Sequence, residues 1–296
     1  MMRILRSEIM GMCFGVRDAL KILDEIEEPK GVTIHGELVH NEVVLYQLGA
    51  RGFRQVGERE RSALPVTETV LVTAHGISDL ERGRLQAAGK NLVDTTCPLV
   101  TRVHRAAQAL HGQGYHVLVI GKPGHVEVRG IVEDLERFDV VGRPEDARDF
   151  GRNRLGIVCQ TTTPPRKARA IREAIETKNP NAEIRYVDTV CRPTKEHQRS
   201  LDRLLEMVDA VVVVGGANSN NTRELASTCR SRGVPAYHVQ GPEDLDPSWF
   251  DGVEVVGLTA GTSTLDETID AVHHALVEMS LVRPAARENV VERVGV

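Results

Sequence analysis

Three cysteines recur in one setting. Val93-Asp94-Thr95-Thr96-Cys97-Pro98 and Val187-Asp188-Thr189-Val190-Cys191 are nearly the same peptide, and Glu8-Ile9-Met10-Gly11-Met12-Cys13 is a looser version of it. In each, a short apolar run ends, a cysteine follows within a turn, and an amphipathic helix pattern begins. The three cysteines come roughly 90 residues apart, which marks three similar units that each deliver one thiol from the same structural place. A helix N-terminus favours thiolate, the form that ligates metal. Structural zinc usually draws its cysteines from close pairs, and no CxxC pair occurs here. Three distant thiolates from three repeats suit an iron–sulfur cubane better, with one iron left without a protein ligand. Buried structural thiols are the competing reading, and three equivalent positions weaken it. Cys159, at a strand end, and Cys229, on a helix, have no equivalents and are expected to be structural.

Other chemistry-bearing residues collect where apolar runs end. His40, His75 and His125 each follow a predicted strand, each near Gly or Asn, and Ser219, Asn221 and Ser263 offer matching donors in the last third of the chain. Imidazoles, hydroxyls and amides at strand ends can bind an anion, aided by helix N-terminal amides. The plainer use of Ser, Thr and Asn at such places is turn chemistry and N-capping. His104, His111, His273 and His274 fall on helix patterns, where packing or solvation accounts for them. Glu127, two residues after His125, offers a carboxyl for proton relay beside a metal site. Thr161, Thr162 and Thr194 are candidates to orient a hydroxyl-bearing ligand. The chain has no Walker-type loop, no GxGxxG after a strand, no HExxH and no Gly-x-Ser-x-Gly elbow. Nucleotide binding and hydrolase chemistry therefore lack their usual marks.

The elements that must position these residues alternate in type. Strands are predicted at Met2–Leu5, Val32–Ile34, Val70–Thr73, Asn91–Val93, His116–Ile120, Val140-Val141, Leu155–Val158, Ile184–Val187, Ala210–Val214 and Val253–Leu258, with a last short one at Val290-Val291. Between them lie helical faces: Val16, Ala19, Leu20 and Leu23; Leu99, Val103, Ala106 and Leu110; Leu201, Leu204, Leu205 and Val208; and a helix from about Leu265 to Leu281. Pro98 suits a first helical position. Such alternation implies parallel βαβ units with right-handed crossovers. In sheets of that kind, ligands bind beyond the carboxyl ends of the strands, where all three cysteines and nearly every unusual polar cluster fall.

Composition narrows the class. With 296 residues, 27% charged and 41% apolar, and a net charge of −5, the chain reads as an ordinary soluble protein of two or three domains. The mildly acidic balance gives no electrostatic reason to expect nucleic acid or an anionic membrane as partner, and 3% aromatics argues against base stacking. There is no apolar run of transmembrane length, and Met1 to Glu8 lacks the apolar region of a secretory signal. Five scattered cysteines do not form a secreted disulfide framework. A cytoplasmic location is expected.

Taken together, the residues resemble the 4-hydroxy-3-methylbut-2-enyl diphosphate reductases, a family acting at the end of the non-mevalonate isoprenoid pathway. The resembling segments are Gly11-Met12-Cys13-Phe14-Gly15-Val16, Val39-His40-Asn41, Ala74-His75-Gly76, Asp94-Thr95-Thr96-Cys97-Pro98-Leu99-Val100, Gly124-His125-Val126-Glu127-Val128, Gln160-Thr161-Thr162, Asn218-Ser219-Asn220-Asn221 and Thr259-Ala260-Gly261-Thr262-Ser263. They span the whole chain in the family's order, and the ordered set is highly specific.

The resemblance implies an α/β fold of three pseudo-threefold-related αβα domains, with mostly parallel sheets, around a central iron–sulfur site. On this chain the domains would be 13–96, 97–190 and 191–282, the last joined by the N-terminal strand 1–12, with a C-terminal tail at 283–296. It implies a [4Fe–4S] cluster on Cys13, Cys97 and Cys191, or its [3Fe–4S] form once the open iron is lost. His40, His75, His125, Ser219, Asn220, Asn221 and Ser263 would bind the diphosphate. Thr161 and Glu127 would lie near the substrate's hydroxyl end, Glu127 in the proton relay. The implied reaction is a two-electron reductive dehydroxylation that gives isopentenyl and dimethylallyl diphosphates, with electrons from ferredoxin or flavodoxin.

Three positions depart from the family's pattern: His197-Gln198 stands where Arg-Gln is common, Asn220 where a second serine is frequent, and Leu265 where proline is common. The rival readings are a cluster-dependent hydro-lyase on a small hydroxylated anion, which would usually use a close CxxC pair, and a non-catalytic metal- or anion-binding protein. A pure electron carrier would use four protein ligands and have no need of Glu127 or the histidines.

Overall fold

The computed structural model describes residues 2–58 and 60–282; the strand expected at Val290-Val291 and the tail 283–296 lie outside them. Among the described residues, every strand pairing is parallel, and the strands form three separate four-stranded sheets. β1 (Arg3–Arg6) belongs to the last of these. The first sheet holds β2 (Val32–His35), β3 (Arg54–Val56), β4 (Thr69–Val72) and β5 (Asn91–Asp94) in the order β3-β2-β4-β5. The second holds β6 (His116–Ile120), β7 (Phe138–Val141), β8 (Arg154–Cys159) and β9 (Glu183–Tyr186), ordered β7-β6-β8-β9. The third, β11-β10-β12-β1, adds β10 (Ala210–Val214), β11 (Ala236–Val239) and β12 (Val255–Ala260).

These orders are one pattern written three times. Each sheet places its second strand at one edge, then its first and third, then a fourth at the other edge. In the third sheet the fourth strand comes from the start of the chain: β1 pairs with β12 from Arg3↔Val255 to Arg6↔Leu258.

The physical reason for the layering is clearest in β10. All five of its residues, Ala-Val-Val-Val-Val, are buried, as a parallel strand covered on both faces requires. Val212 and Val214 pack toward Ile269, Val272 and Leu276 of α9 (Asp266–Val282). Val211 and Val213 point the other way, toward Leu201 and Leu204 of α7 (Arg192–Leu204) and Leu225 of α8 (Asn220–Ser231). Full burial of each valine contributes about 1.5 kcal/mol or more, and β-branched residues also suit the extended backbone. The other two sheets are likewise covered on both faces by apolar clusters.

The remaining helices are α1 (Phe14–Asp24), α2 (Glu42–Ala50), α3 (Asp79–Ala87), α4 (Pro98–Gly112), α5 (Val126–Val132) and α6 (Pro165–Lys178). None of the described helices is long and apolar enough to cross a membrane.

The structure corrects several boundaries. β3 and β11 are absent from the sequence reading because both are edge strands without a two-sided apolar run; Arg54 and Gln55 are exposed. The helix read through Leu205 and Val208 ends at Leu204, and Val208 packs on the same core from the following turn. The strand expected from Val253 starts at Val255, where Asp209 Oδ2 accepts the N–H groups of Glu254 and Val255 at 3.0 and 2.8 Å.

Candidate active site

The repeated topology delivers side chains to the middle of the molecule in sets of three. Beyond the fourth strands come Cys97 after β5, Cys191 after β9 and Cys13 after β1. Beyond the first strands come His40, His125 and Ser219; beyond the third strands come His75, Thr161 and Ser263. All nine line one cavity, with Glu127, Thr162, Asn220 and Asn221. Every residue singled out in the sequence as a ligand, substrate or proton-relay candidate is therefore at this cavity except Thr194. That side chain is buried and bonded to a thiol instead: Cys191 S–H donates to Thr194 Oγ1 at 3.1 Å, and the Thr194 N–H donates to the sulfur at 3.4 Å.

The thiols share more than position. Cys13, Cys97 and Cys191 are the N-cap residues of α1, α4 and α7, so three helix N-termini, each worth about half a positive charge, converge on them. Burial is nevertheless the larger effect. It raises all three thiols, Cys191 up to about 12, while main-chain N–H groups at the helix starts pull Cys13 and Cys97 back. Without a bound cation the sulfurs are protonated thiols, and metal binding must release those protons. Gly15 is what allows the close meeting. A β-carbon on it would lie 2.5 Å from Cys97 Sγ, so only glycine lets the start of α1 approach the second thiol. Cys159 and Cys229 are buried away from the cavity, one at the end of β8 and one within α8.

Opposite chemistry is grouped in the histidines. His40 stacks on His75 with ring centroids 4.4 Å apart, and His125 stands edge-on to both at 5.2 and 5.8 Å. Three clustered imidazoles cannot all be charged when buried. Burial holds His75 well below its ordinary range, with His40 and His125 adding to the effect, and lowers His125 to about 3. Nδ1 of His125 accepts the main-chain N–H of Glu127 at 3.1 Å, which places its ring proton on Nε2 as a free donor. His40 Nδ1 bonds Glu37 Oε2 at 2.7 Å. Nδ1 of His75 and Nδ2 of Asn221 are buried without a protein partner, so the pocket has polar groups left for a ligand.

Glu127 lies in the first turn of α5 and is only 2% exposed. The Thr161 main-chain N–H donates to Oε1 at 2.6 Å and the Thr161 hydroxyl to Oε2 at 2.8 Å. Burial outweighs both bonds and raises the acid to about 7. A carboxyl poised there can hold or give up a proton near neutral pH. Its charge is felt by Cys97 and Cys191, and that of His40 is felt by Glu127, so it communicates with both groups of residues.

A LytB protein family model matches residues 4–277. The chain belongs to the LytB family. The 4-hydroxy-3-methylbut-2-enyl diphosphate reductase of Pseudothermotoga lettingae is 33% identical to it over 272 residues, covering 92% of this chain and 96% of that one. The enzyme of the same name from Anaeromyxobacter sp. is 35% identical, with coverages of 92% and 95%. Among solved structures, the E-1-hydroxy-2-methyl-but-2-enyl-4-diphosphate reductase from Plasmodium falciparum superposes with a TM-score of 0.85 at 25% identity, over 93% of this chain and 88% of that one. The resemblance drawn from the motifs is borne out for the family, the three-sheet α/β fold and the reductase class.

LytB membership implies an iron–sulfur cofactor in general, and the donor set fits one. Three thiols on three separate elements surround one cavity, and Gly15 removes the side chain that would block them. Among the described residues, no three His, Cys, Asp or Glu side chains converge on a single-ion site. A polynuclear group needs its thiolates spread over separate irons.

Some contributors have no sequence signal strong enough to single them out. Glu37 orients His40, and its only mark is a carboxylate three residues earlier. Asn41 caps α2 through its side-chain oxygen and donates from Nδ2 to Ser263 O at 2.7 Å, tying the first unit to the third. Of the departures from the family pattern, Asn220 lines the cavity and donates to Thr162 Oγ1 at 3.1 Å. His197 is buried near the main chain of Ala260, and Leu265 packs against the core of the first sheet.

Proposed function

We propose that this chain reduces (E)-4-hydroxy-3-methylbut-2-enyl diphosphate to isopentenyl and dimethylallyl diphosphates, taking electrons one at a time from ferredoxin or flavodoxin in the cytoplasm. The observation that carries the reading is one cavity lined by three thiols, by imidazole, amide and hydroxyl groups able to bind an anion, and by a buried carboxyl raised to about 7. The domains we propose are 13–96, 97–190 and 191–282, with 1–12 belonging to the third. Their support is the sheet membership, including β1 beside β12.

Cys13, Cys97 and Cys191 would hold a [4Fe–4S] cluster, or a [3Fe–4S] form after iron loss. When bound, it supplies electrons and Lewis acidity at an iron without a protein ligand. The chain's own residues do the rest. His125 Nε2–H, the Asn221 amide and the Ser219 and Ser263 hydroxyls hold the diphosphate, with His40, held by Glu37, and His75 completing the ring. Asn220 steadies Thr162 at the same wall. In the net reaction the C–O bond breaks, a C–H bond forms, and two electrons and two protons are consumed as water departs. Glu127, neutral below about pH 7, holds a transferable proton, and Thr161 fixes its carboxyl by two bonds.

The test is anaerobic purification with iron and sulfide analysis, followed by turnover of the hydroxylated diphosphate with a reduced one-electron donor. Iron-dependent visible absorption and formation of both C5 diphosphates are expected. A protein that stays colourless after anaerobic reconstitution would sink the proposal.

A further inference from the structure

The inner cavity presents a charge problem. A diphosphate carries about three negative charges near neutral pH, the chain as a whole carries −5, and burial keeps His75 and His125 uncharged. Those two uncharged rings do not draw such an anion in from a distance.

Just outside lies a second, open cavity of ≈ 600 Å³ that shares His40 and His125 with the inner one. Its lining holds Glu37, Glu58, Glu60 and Arg129, the last paired with Glu133 at 3.2 Å, together with Lys122 and Arg223. The latter two come from different units: Lys122 from the loop after β6, Arg223 from the first turn of α8. Each is exposed, and neither has a carboxylate within ion-pair distance among the described residues. Among the described residues, Arg223 donates only to the Asn218 carbonyl, at 2.9 Å. Nearby acids are committed elsewhere: Glu224 to Lys167 at 2.6 Å, Glu37 to His40 and Glu58 to Arg61, which leaves Glu60 facing them. The two cations lie together, lining this cavity and a neighbouring one; burial is the main cause that lowers Lys122, and Arg223 adds to it. Two like charges held in one open cavity beside the inner one, neither of them in an ion pair among the described residues and with Glu60 the one uncommitted carboxylate facing them, make a landing place for a polyanion.

We propose that Lys122 and Arg223 form an entry site that captures the diphosphate from solvent and passes it to the neutral donors inside. The assignment rests on the reductase reading for the identity of the substrate. It predicts that these side chains govern encounter rather than chemistry.

The test compares the holoenzyme with K122Q/R223Q and the charge-preserving K122R/R223K at low and high ionic strength. The Gln pair should lose roughly tenfold or more in kcat/KM at low salt, with the loss falling on kcat/KM rather than kcat and shrinking as salt rises. The charge-preserving pair should track wild type. Equal kcat/KM and equal salt slopes in all three, or a loss residing in kcat, would overturn the entry site. Calorimetric titration with inorganic pyrophosphate separates this from the substrate assignment. If wild type fails to turn over the hydroxylated diphosphate, weaker and less salt-sensitive pyrophosphate binding in the Gln pair still upholds the entry site. Identical binding in that case overturns it.

Discussion

Replacing Glu127 by Gln should stabilise the protein and disable it at once, and the structure fixes the size and sign of the first effect. Burial raises the carboxyl from 4.5 to about 7, so the folded chain disfavours the charged form. Stability carried by the neutral acid is fully present below about pH 4.5 and is lost as pH rises to 7, after which the loss levels off. At 1.36 kcal/mol per unit, the interval corresponds to about 3 kcal/mol. Glutamine reproduces the neutral acid's bonds. Its carbonyl accepts the Thr161 N–H, and its amide donates to Thr161 Oγ1 where the acid's own O–H would. It does not titrate.

Wild type and Glu127→Gln should therefore differ by less than about 1 kcal/mol near pH 5, and the variant should be more stable by on the order of 3 kcal/mol at pH 8. Urea denaturation of the cofactor-free chain at pH 5, 6.5 and 8 measures the gap. A difference that stays constant across that range would refute the buried-charge argument. In the holoenzyme the same change removes the transferable proton, and turnover should fall by about 100-fold or more, the usual weight of a positioned acid. Stability gained with activity lost is the combination expected where a site keeps a strained ionisation for use.

Gly15→Ala places a methyl against Cys97 Sγ and should lower iron per chain after reconstitution, with secondary structure by circular dichroism unchanged. Cys191→Ser should lose iron and Cys159→Ser should keep it; iron loss in the second would assign the wrong cysteine. Thr161→Val deletes the hydroxyl that lowers the Glu127 pKa but leaves the main-chain N–H. Its pH–kcat profile should keep its acid form to higher pH at a reduced maximum, and an unshifted limb would detach Thr161 from Glu127.

The cysteines are legible in the sequence because their surrounding peptide is repeated, and repetition is a local signal. His40, His75 and His125 are legible only as strand-end residues. That their rings meet within 6 Å depends on how two sheets face each other, which no window of sequence records. Gly15 stands two residues after Cys13, and no local signal tells that the atom it accommodates belongs to Cys97. Thr194 carries the right chemistry for a ligand contact, and its place one turn into α7 turns it onto the Cys191 sulfur instead. Edge strands such as Arg54–Val56 escape notice because register and main-chain bonding define them, with little apolar burial to leave a pattern. Lys122 and Arg223 have no motif at all; their meaning arises where a loop of the second unit meets a helix of the third.

The threefold layout also explains which positions can differ between units. Beyond the fourth strands the three residues are identical, Cys97, Cys191 and Cys13, as the cluster proposed for them would require, since equivalent irons ask for equivalent thiolates. Beyond the first and third strands they are His40, His125 and Ser219, and His75, Thr161 and Ser263. A substrate with a diphosphate at one end and a hydroxyl at the other has no threefold symmetry, so identical donors there would serve it poorly. The second unit departs most usefully. Its third strand is followed by Thr161, where the other units have His75 and Ser263, and the Thr161 hydroxyl joins the main-chain N–H in holding Glu127 from the neighbouring first-strand helix. The repeat thus supplies the frame, and the Glu127–Thr161 pair, to which we assign the proton, is built from side chains that the second unit alone carries together at these places.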